Sequence, residues 1–306
     1  MSEPWRAERE VDHALARSLI ESQFPTLAPV RLRSLDAGWD NTAYVVNDIY
    51  VFRFPRRQIA VSCMEAEIAV LPGLPPLPLP ISTPLFVGRG TESFPWPFAG
   101  YRWIDGIDAS VADLDDRRRI AAAEPLGRFL AALHAVDAEQ ATELGAGPDT
   151  LGRLDLDART QRMRERIDQM TTLGSPAVAD SARRALAAAR AAARSPERTN
   201  LALVHGDFYC RNLLVDTDGR VNGVVDWGDV HLGHPAVDLS IAYTFLPPEA
   251  YPVFVSAYGG IDDATAALAR WRAVHYAVIL TLYGRDIGDD GLVREGVRTL
   301  ERLGSG

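Results

Sequence analysis

The 306 residues are 47% hydrophobic, enough to bury a large core, and their net charge of −9 argues against a nucleic-acid partner, which requires a basic patch or stripe. All 32 basic residues are arginine, and the only cysteines are Cys63 and Cys210, so no disulfide framework is implied and a reducing cytoplasm fits. The start MSEPWRAEREVDH lacks the apolar core of a signal peptide, and no apolar run reaches the roughly 20 residues needed to span a membrane.

Residues 8–23 can form a short amphipathic helix. The stretch VRLRSLDAGWDNTAYVVNDIYVFRFPRR then shows three β-rich segments, with Gly38 in the first connection and Asn47-Asp48 as a tight hairpin turn. From Tyr50 to Phe54, strand alternation puts Tyr50, Phe52 and Phe54 on one face and Val51 and Arg53 on the other. MEAEIAVLPGL reads as a helix with Ile68 and Leu71 inward; it carries Glu65 and Glu67, and the sequence does not fix its rotation. In LPGLPPLPLPISTP, proline forbids helix interior and central strand, so this is a rigid extended connector.

FPWPFAGYRWIDG is an apolar strand leading into Asp105-Gly106, a crossover between a mostly β unit, residues 1–104, and a helical unit, residues 105–306. RRRIAAAEPLGRFLAALHAVD places Leu126, Phe129, Leu130 and Leu133 at helical spacing, with Pro125 expected to kink the helix or start it afresh, and His134 reads as a structural hydrogen-bonding residue. Two helices follow between Arg159 and Arg194, broken at Gly174-Ser175-Pro176, with arginines suited to a solvated face. Residues 248–304 add further helices carrying Asp262, Asp263, Asp286, Asp289 and Asp290. These could be helix caps, surface charge, or carboxylates that hold ammonium groups.

The chemistry concentrates between Val204 and Asp238. Leu213 to Val225 is two apolar stretches around the turn-forming Asp216-Thr217-Asp218-Gly219, a β-hairpin pattern. Asn212 and Asp226 lie equally far from Gly219, so an antiparallel pair centred there sets them side by side, within about 5 Å. An amide and a carboxylate are hard oxygen ligands suited to Mg²⁺ with room for triphosphate oxygens. Asp207 follows the apolar run Leu201 to Val204, where a strand gives way to a loop, and can face an incoming hydroxyl. One carboxylate and two metal ligands are most of what phosphoryl transfer asks of a protein. His205, beside Gly206, braces this loop. His231 and His234 have no convincing ligand spacing and are assigned no metal.

HGDFYCRN, VVDWGD and GHPAVDLS resemble the aminoglycoside and macrolide phosphotransferase family, over nearly the whole chain. The resemblance implies a two-lobed α+β protein-kinase-like fold, with a mostly β N-terminal lobe and a helical C-terminal lobe. It implies Asp207 as catalytic base, Asn212 and Asp226 as Mg²⁺ ligands, and Asp238 as a buttress of the catalytic loop. Gly38 falls in the loop, Ala37 to Thr42, that covers the phosphates in such enzymes. Arg53 stands where many relatives carry a lysine that contacts the α- and β-phosphates, paired with a helical glutamate; here that is Glu67, with Glu65 as its rival. Arginine can still clamp phosphate bidentately. The peptide groups of Arg102, Trp103 and Ile104 fall where the purine binds.

The implied reaction is ATP- or GTP-dependent O-phosphorylation of an aminoglycoside-like antibiotic, a cationic small molecule suited to an acidic protein. A macrolide or another small hydroxylated metabolite is the alternative acceptor, and a nucleotide-binding sensor without phosphotransfer is the alternative class. The trio Asp207, Asn212 and Asp226 speaks against a sensor, and the lack of an HRD-type loop and a DFG triplet against a general protein kinase.

Overall fold

A computed structural model describes residues 7–35, 40–196 and 201–305. Gly38 lies outside the described residues.

The first helix, α1 (His13–Gln23), begins five residues later than its amphipathic pattern suggests. Asp12 caps it by accepting from the Leu15 N–H, while the N–H groups of Glu8 and Arg9 both donate to the carbonyl of Arg56. Strands β1 (Leu32–Ser34), β2 (Asn41–Val46), β3 (Tyr50–Pro55), β4 (Pro84–Gly88) and β5 (Phe98–Arg102) form an antiparallel sheet in the order β1-β2-β3-β5-β4. Asn47 and Asp48 turn β2 into β3 with φ of 53° and 59°, a left-handed conformation that Asn and Asp tolerate.

The alternation along β3 separates two chemistries. Phe52 and Phe54 are fully buried on the face covered by α1, where Phe54 stacks on Phe98 at 4.8 Å and Phe52 on Phe86 at 5.6 Å. Arg53 emerges on the opposite face, under α2 (Gln58–Val70).

After α2 the proline-rich connector crosses to the second part of the molecule. The N–H of Val224 donates to Pro80 and that of Ser82 to Val224, so the extended chain is stitched to the hairpin predicted to carry the site. That hairpin consists of β8 (Leu213–Val215) and β9 (Val221–Val224), joined by β6 (Ile107–Asp108) into a three-stranded sheet. A two-stranded pair, β7 (Ala202–Val204) and β10 (His231–Gly233), flanks the loop that carries His205 and Asp207.

Helices make up the rest: α3 (Asp116–His134), α4 (Ala138–Glu143), α5 (Leu156–Thr172), α6 (Pro176–Ala192), the short α7 (Ala236–Leu239) and α8 (Ile241–Thr244), α9 (Tyr251–Tyr258), α10 (Asp263–Ile287) and α11 (Asp290–Gly304). Of the two outcomes expected at Pro125, a kink or a fresh start, the fresh start does not occur: α3 is one helix running through it. Proline forfeits one backbone bond, but Leu126, Phe129, Leu130 and Leu133 are all fully buried beyond it, and that packing outweighs the loss. Asp262 and Asp289 are N-caps of α10 and α11, accepting from the N–H groups of Thr265 and Leu292. No helix among the described residues is long and apolar enough to cross a membrane.

Candidate active site

The loop after β7 is held from beneath. Asp238, on α7 and fully buried, accepts hydrogen bonds from the backbone N–H of His205 at 2.6 Å and of Gly206 at 2.9 Å. Burial alone pushes its carboxyl up, but the hydrogen bonds from His134 Nε2, at 3.3 Å, and from the Gly206 N–H lower it below the usual range. Gly206 has φ of 87°, and a Cβ there would lie 2.2 Å from the carbonyl oxygen of Asp229, so only glycine fits. The His205 ring accepts from the Asp207 N–H at Nδ1, contacts the Val225 carbonyl through Nε2 at 3.1 Å, and packs on Trp227 at 4.6 Å. It is a brace buried in the loop.

Asp207 is thereby presented half-buried, with each carboxylate oxygen bonded. Tyr276 Oη, from α10, donates to Oδ1 at 2.8 Å, and Asn212 Nδ2 approaches Oδ2 at 3.3 Å. Burial and the charge of Asp229 push its pKa up to about 6, against the lowering effect of the Tyr276 bond. A carboxylate with that pKa is ionised at neutral pH yet basic enough to take a proton.

The hairpin register differs from the symmetric expectation. Leu213 pairs with Val224 and Val215 with Val221, the shift falling between Leu214 and Val215, so Asn212 stands opposite Val225, whose N–H donates to it at 3.0 Å. The irregularity takes up one residue, and Asp226 lies one position beyond the direct partner of Asn212. Asp226 adopts φ of 62°, unusual for a non-glycine residue, at the strand end. Its carboxylate is 53% exposed and bonds Arg53 Nη2 at 2.6 Å. Burial of the site raises its pKa, and Arg53 more than reverses this, holding it below the carboxylate range.

Arg53 also bonds Glu67 at 2.8 Å through Nη1. Glu67 is 1% exposed and is held on its other oxygen by the Tyr101 hydroxyl, while Glu65 points to solvent. The helix rotation that the sequence left open therefore brings Glu67 to Arg53.

These residues suit a magnesium ion. Asn212 commits its amide nitrogen to Asp207, which leaves its oxygen as the donor atom it can offer, and Asp226 stays ionised; both are hard oxygen donors. At the crossover, the Trp103 N–H is spent on the Ile49 carbonyl at 2.8 Å and its indole N–H on Asp105, Arg102 is exposed, and Ile104 packs against Gly223. Asn222 Nδ2 ties the Asp105 carbonyl to the hairpin at 2.6 Å.

Three residues at the site went unassigned in the sequence. Tyr276 and Arg153 lie far from the motif in the chain and carry no local signal, whereas Asp229 sits inside VVDWGD. Arg153, nearly buried, donates to the Gly206 carbonyl at 3.1 Å and bridges Asp149 at 2.7 Å and Asp229 at 2.5 Å, fixing the far wall of the loop.

The family model described as "Phosphotransferase enzyme family" matches residues 31–274. Viomycin phosphotransferase of Streptomyces vinaceus is 33% identical over 99 residues, 31% of this chain and 34% of that protein, so the match spans about a third of that relative. The solved GDP complex of wild-type aminoglycoside 2'-phosphotransferase-IIIa superposes with a TM-score of 0.67 at 22% identity, covering 96% of this chain and 99% of that one. Macrolide 2'-phosphotransferase type I gives 0.55 at 19% identity, covering 96% and 98%. At these identities the likeness is one of fold: the two-lobed, α+β, kinase-like fold.

Proposed function

Because the chain belongs to the phosphotransferase enzyme family, we propose that it transfers the γ-phosphoryl group of ATP or GTP to a hydroxyl of a small acceptor of the antibiotic type. The observation that carries this reading is the setting of Asp207, a carboxylate with a pKa of about 6, positioned by Tyr276 and Asn212 beside the Arg53–Asp226 pair.

Asp207 accepts the hydroxyl proton as the acceptor oxygen bonds to the γ-phosphorus and the bond from that phosphorus to the β–γ bridging oxygen breaks. Asn212 and Asp226 would hold Mg²⁺, which would supply charge neutralisation on the triphosphate. Arg53 is assigned to the phosphates, and the peptide groups of Arg102 and Ile104 to the purine, with only the carbonyl of Trp103 left to join them because its N–H is spent on Ile49. Gly38 is assigned to the loop over the phosphates, by resemblance.

Relatives that act on viomycin, aminoglycosides and macrolides support a hydroxylated antibiotic as acceptor, with an aminoglycoside-like one first and a macrolide second. A hydroxylated metabolite is the second reading, favoured by the arginines described below and by the use of Asp262 and Asp289 as helix caps rather than as free carboxylates. The test is a mass-spectrometric screen for an added phosphate on aminoglycosides, macrolides and simple amino alcohols, with ATP and GTP both supplied. Nucleotide binding without transfer to any acceptor, or to water, would favour a sensor instead.

A further inference from the structure

Helices α5 and α10 bring an arginine cluster up to Tyr276, whose hydroxyl bonds Asp207. Arg159, Arg162 and Arg166 recur along α5 at spacings that put them on one helical face. Arg272 lies one turn before Tyr276 on α10 and holds its guanidinium 4.3 Å over that ring, whose hydroxyl bonds Asp207. His275 sits between the two helices, with its Nδ1 3.0 Å from Arg272 Nη1 and its Nε2 3.5 Å from Arg159 Nη1.

These groups are not balanced by acids. Among the described residues, Arg159, Arg162, Arg166 and Arg272 form no ion pair, whereas neighbouring Arg153 holds two aspartates. Arg159 is anchored instead on the carbonyls of Leu151 and Gly152, which aims its Nη1 at His275. Arg272 is 5% exposed, and its Nε is buried with no hydrogen-bond partner among the described residues. Burial first, and then the charges of Arg272, Arg159, Arg166 and Arg162, push the His275 pKa well down, so its ring is neutral. A neutral imidazole accepts at one nitrogen only. With Nδ1 taken by Arg272, Nε2 carries a hydrogen that faces a guanidinium hydrogen of Arg159, donor against donor. An oxyanion beside Arg159 Nη1 and His275 Nε2 would turn both donors into partners.

We propose that this cluster is an acceptor subsite for an oxyanion, a carboxylate or phosphate group carried by the molecule whose hydroxyl meets Asp207. The proposal rests on the reading of Asp207 as the phosphotransfer centre and deepens it, since a purely polycationic acceptor would leave the arginine wall uncompensated.

Inorganic sulfate and acetate, each titrated into the full chain at constant ionic strength set with chloride, probe the subsite by calorimetry and thermal unfolding. Tighter binding of sulfate indicates a phosphate group on the acceptor; tighter binding of acetate indicates a carboxylate. Arg159→Gln is expected to weaken the preferred anion at least tenfold, and Arg272→Gln to do the same. Because Arg272 is buried, the half-exposed Arg159 keeps the test decisive if the second variant does not fold. Arg183→Gln, on α6 and paired with Asp168 and Asp180, serves as the control and is expected to bind as wild type. Anion binding that Arg159→Gln leaves intact, equal losses in the control, or no binding of either anion overturns the proposal. ADP release by the wild-type and Asp207→Asn proteins, with water as acceptor, reads the phosphotransfer assignment separately.

Discussion

Arg53 and Asp226, 173 residues apart in the chain, are joined by a 2.6 Å ion pair that ties the five-stranded sheet to the end of the β8–β9 hairpin. The same guanidinium reaches Glu67, so one planar fork spans β3, α2 and the strand end. Its two halves differ in environment. Glu67 is buried, whereas Asp226 is more than half exposed. Arg53→Gln, which strands a buried carboxylate, should cost about 3–5 kcal/mol in denaturant unfolding. Asp226→Asn should stay within about 1 kcal/mol of wild type, because the Asp226 carboxylate is more than half exposed, Arg53 keeps Glu67, and asparagine tolerates the left-handed backbone. That conservative variant should nonetheless lose Mg²⁺-dependent turnover; normal turnover would remove Asp226 from the metal site.

The raised pKa of Asp207 sets the pH response. Below about 6 its carboxyl is protonated and cannot take the acceptor's proton, so kcat/KM should fall about tenfold per pH unit on the acid side. Asp207→Asn should lower kcat by about 10²- to 10⁴-fold while nucleotide affinity stays near wild type. The linkage sign follows from a folded-state pKa above the unfolded one. The favourable contribution of this group is full below the unfolded pKa, near 4, and is lost as pH rises through about 6. Asp207→Asn should therefore unfold at a higher temperature than wild type at pH 7 to 8, and the gap should close towards pH 4.

Tyr276 acts on the same carboxylate from α10. Its hydroxyl bond favours the charged form, so Tyr276→Phe should raise the Asp207 pKa further and move the acid limb of the kcat/KM profile to higher pH. A purely structural role for Tyr276 predicts lower activity with an unmoved acid limb.

Much of this arrangement is written locally. Alternation along Tyr50 to Phe54 separates the aromatic core face from Arg53, and the Asn47-Asp48 pair marks a turn that only left-handed-tolerant residues make cheaply. What escaped the sequence depends on packing between distant segments. The hairpin's register turns on an irregularity between Leu214 and Val215, which no residue type announces, so Asn212 stands opposite Val225 and Asp226 falls one position beyond it. Pro125 reads as a break until the buried residues around it are counted. Tyr276 and Arg153 reach the catalytic loop only because α10 and the segment before α5 fold across it. Glu67 over Glu65 is a choice of helix rotation, made by the Tyr101 hydroxyl and the Arg53 fork waiting on one side.

Asp238 gives a final test of how the loop is held. It satisfies two buried N–H donors, those of His205 and Gly206, and each donor left without a partner costs about 1–3 kcal/mol. Asp238→Ala should therefore unfold at much lower denaturant concentration than wild type. Asp238→Asn keeps the shape but has only one acceptor oxygen for the two N–H groups, and its amide nitrogen faces one of them as a second donor. Its deficit should be smaller than that of alanine, with kcat reduced because the loop that carries Asp207 loses its fixed position. The pKa of Asp238 is lowered in the folded state, chiefly by His134 against the cost of burial, so its stabilising contribution is present above the unfolded pKa and is lost as pH falls through the folded one. The gap between wild type and Asp238→Asn should thus be widest near neutral pH and shrink below about pH 4. A gap that stays constant from pH 7 to pH 3 in denaturant melts would mean that shape, not the ionised carboxylate, holds the loop.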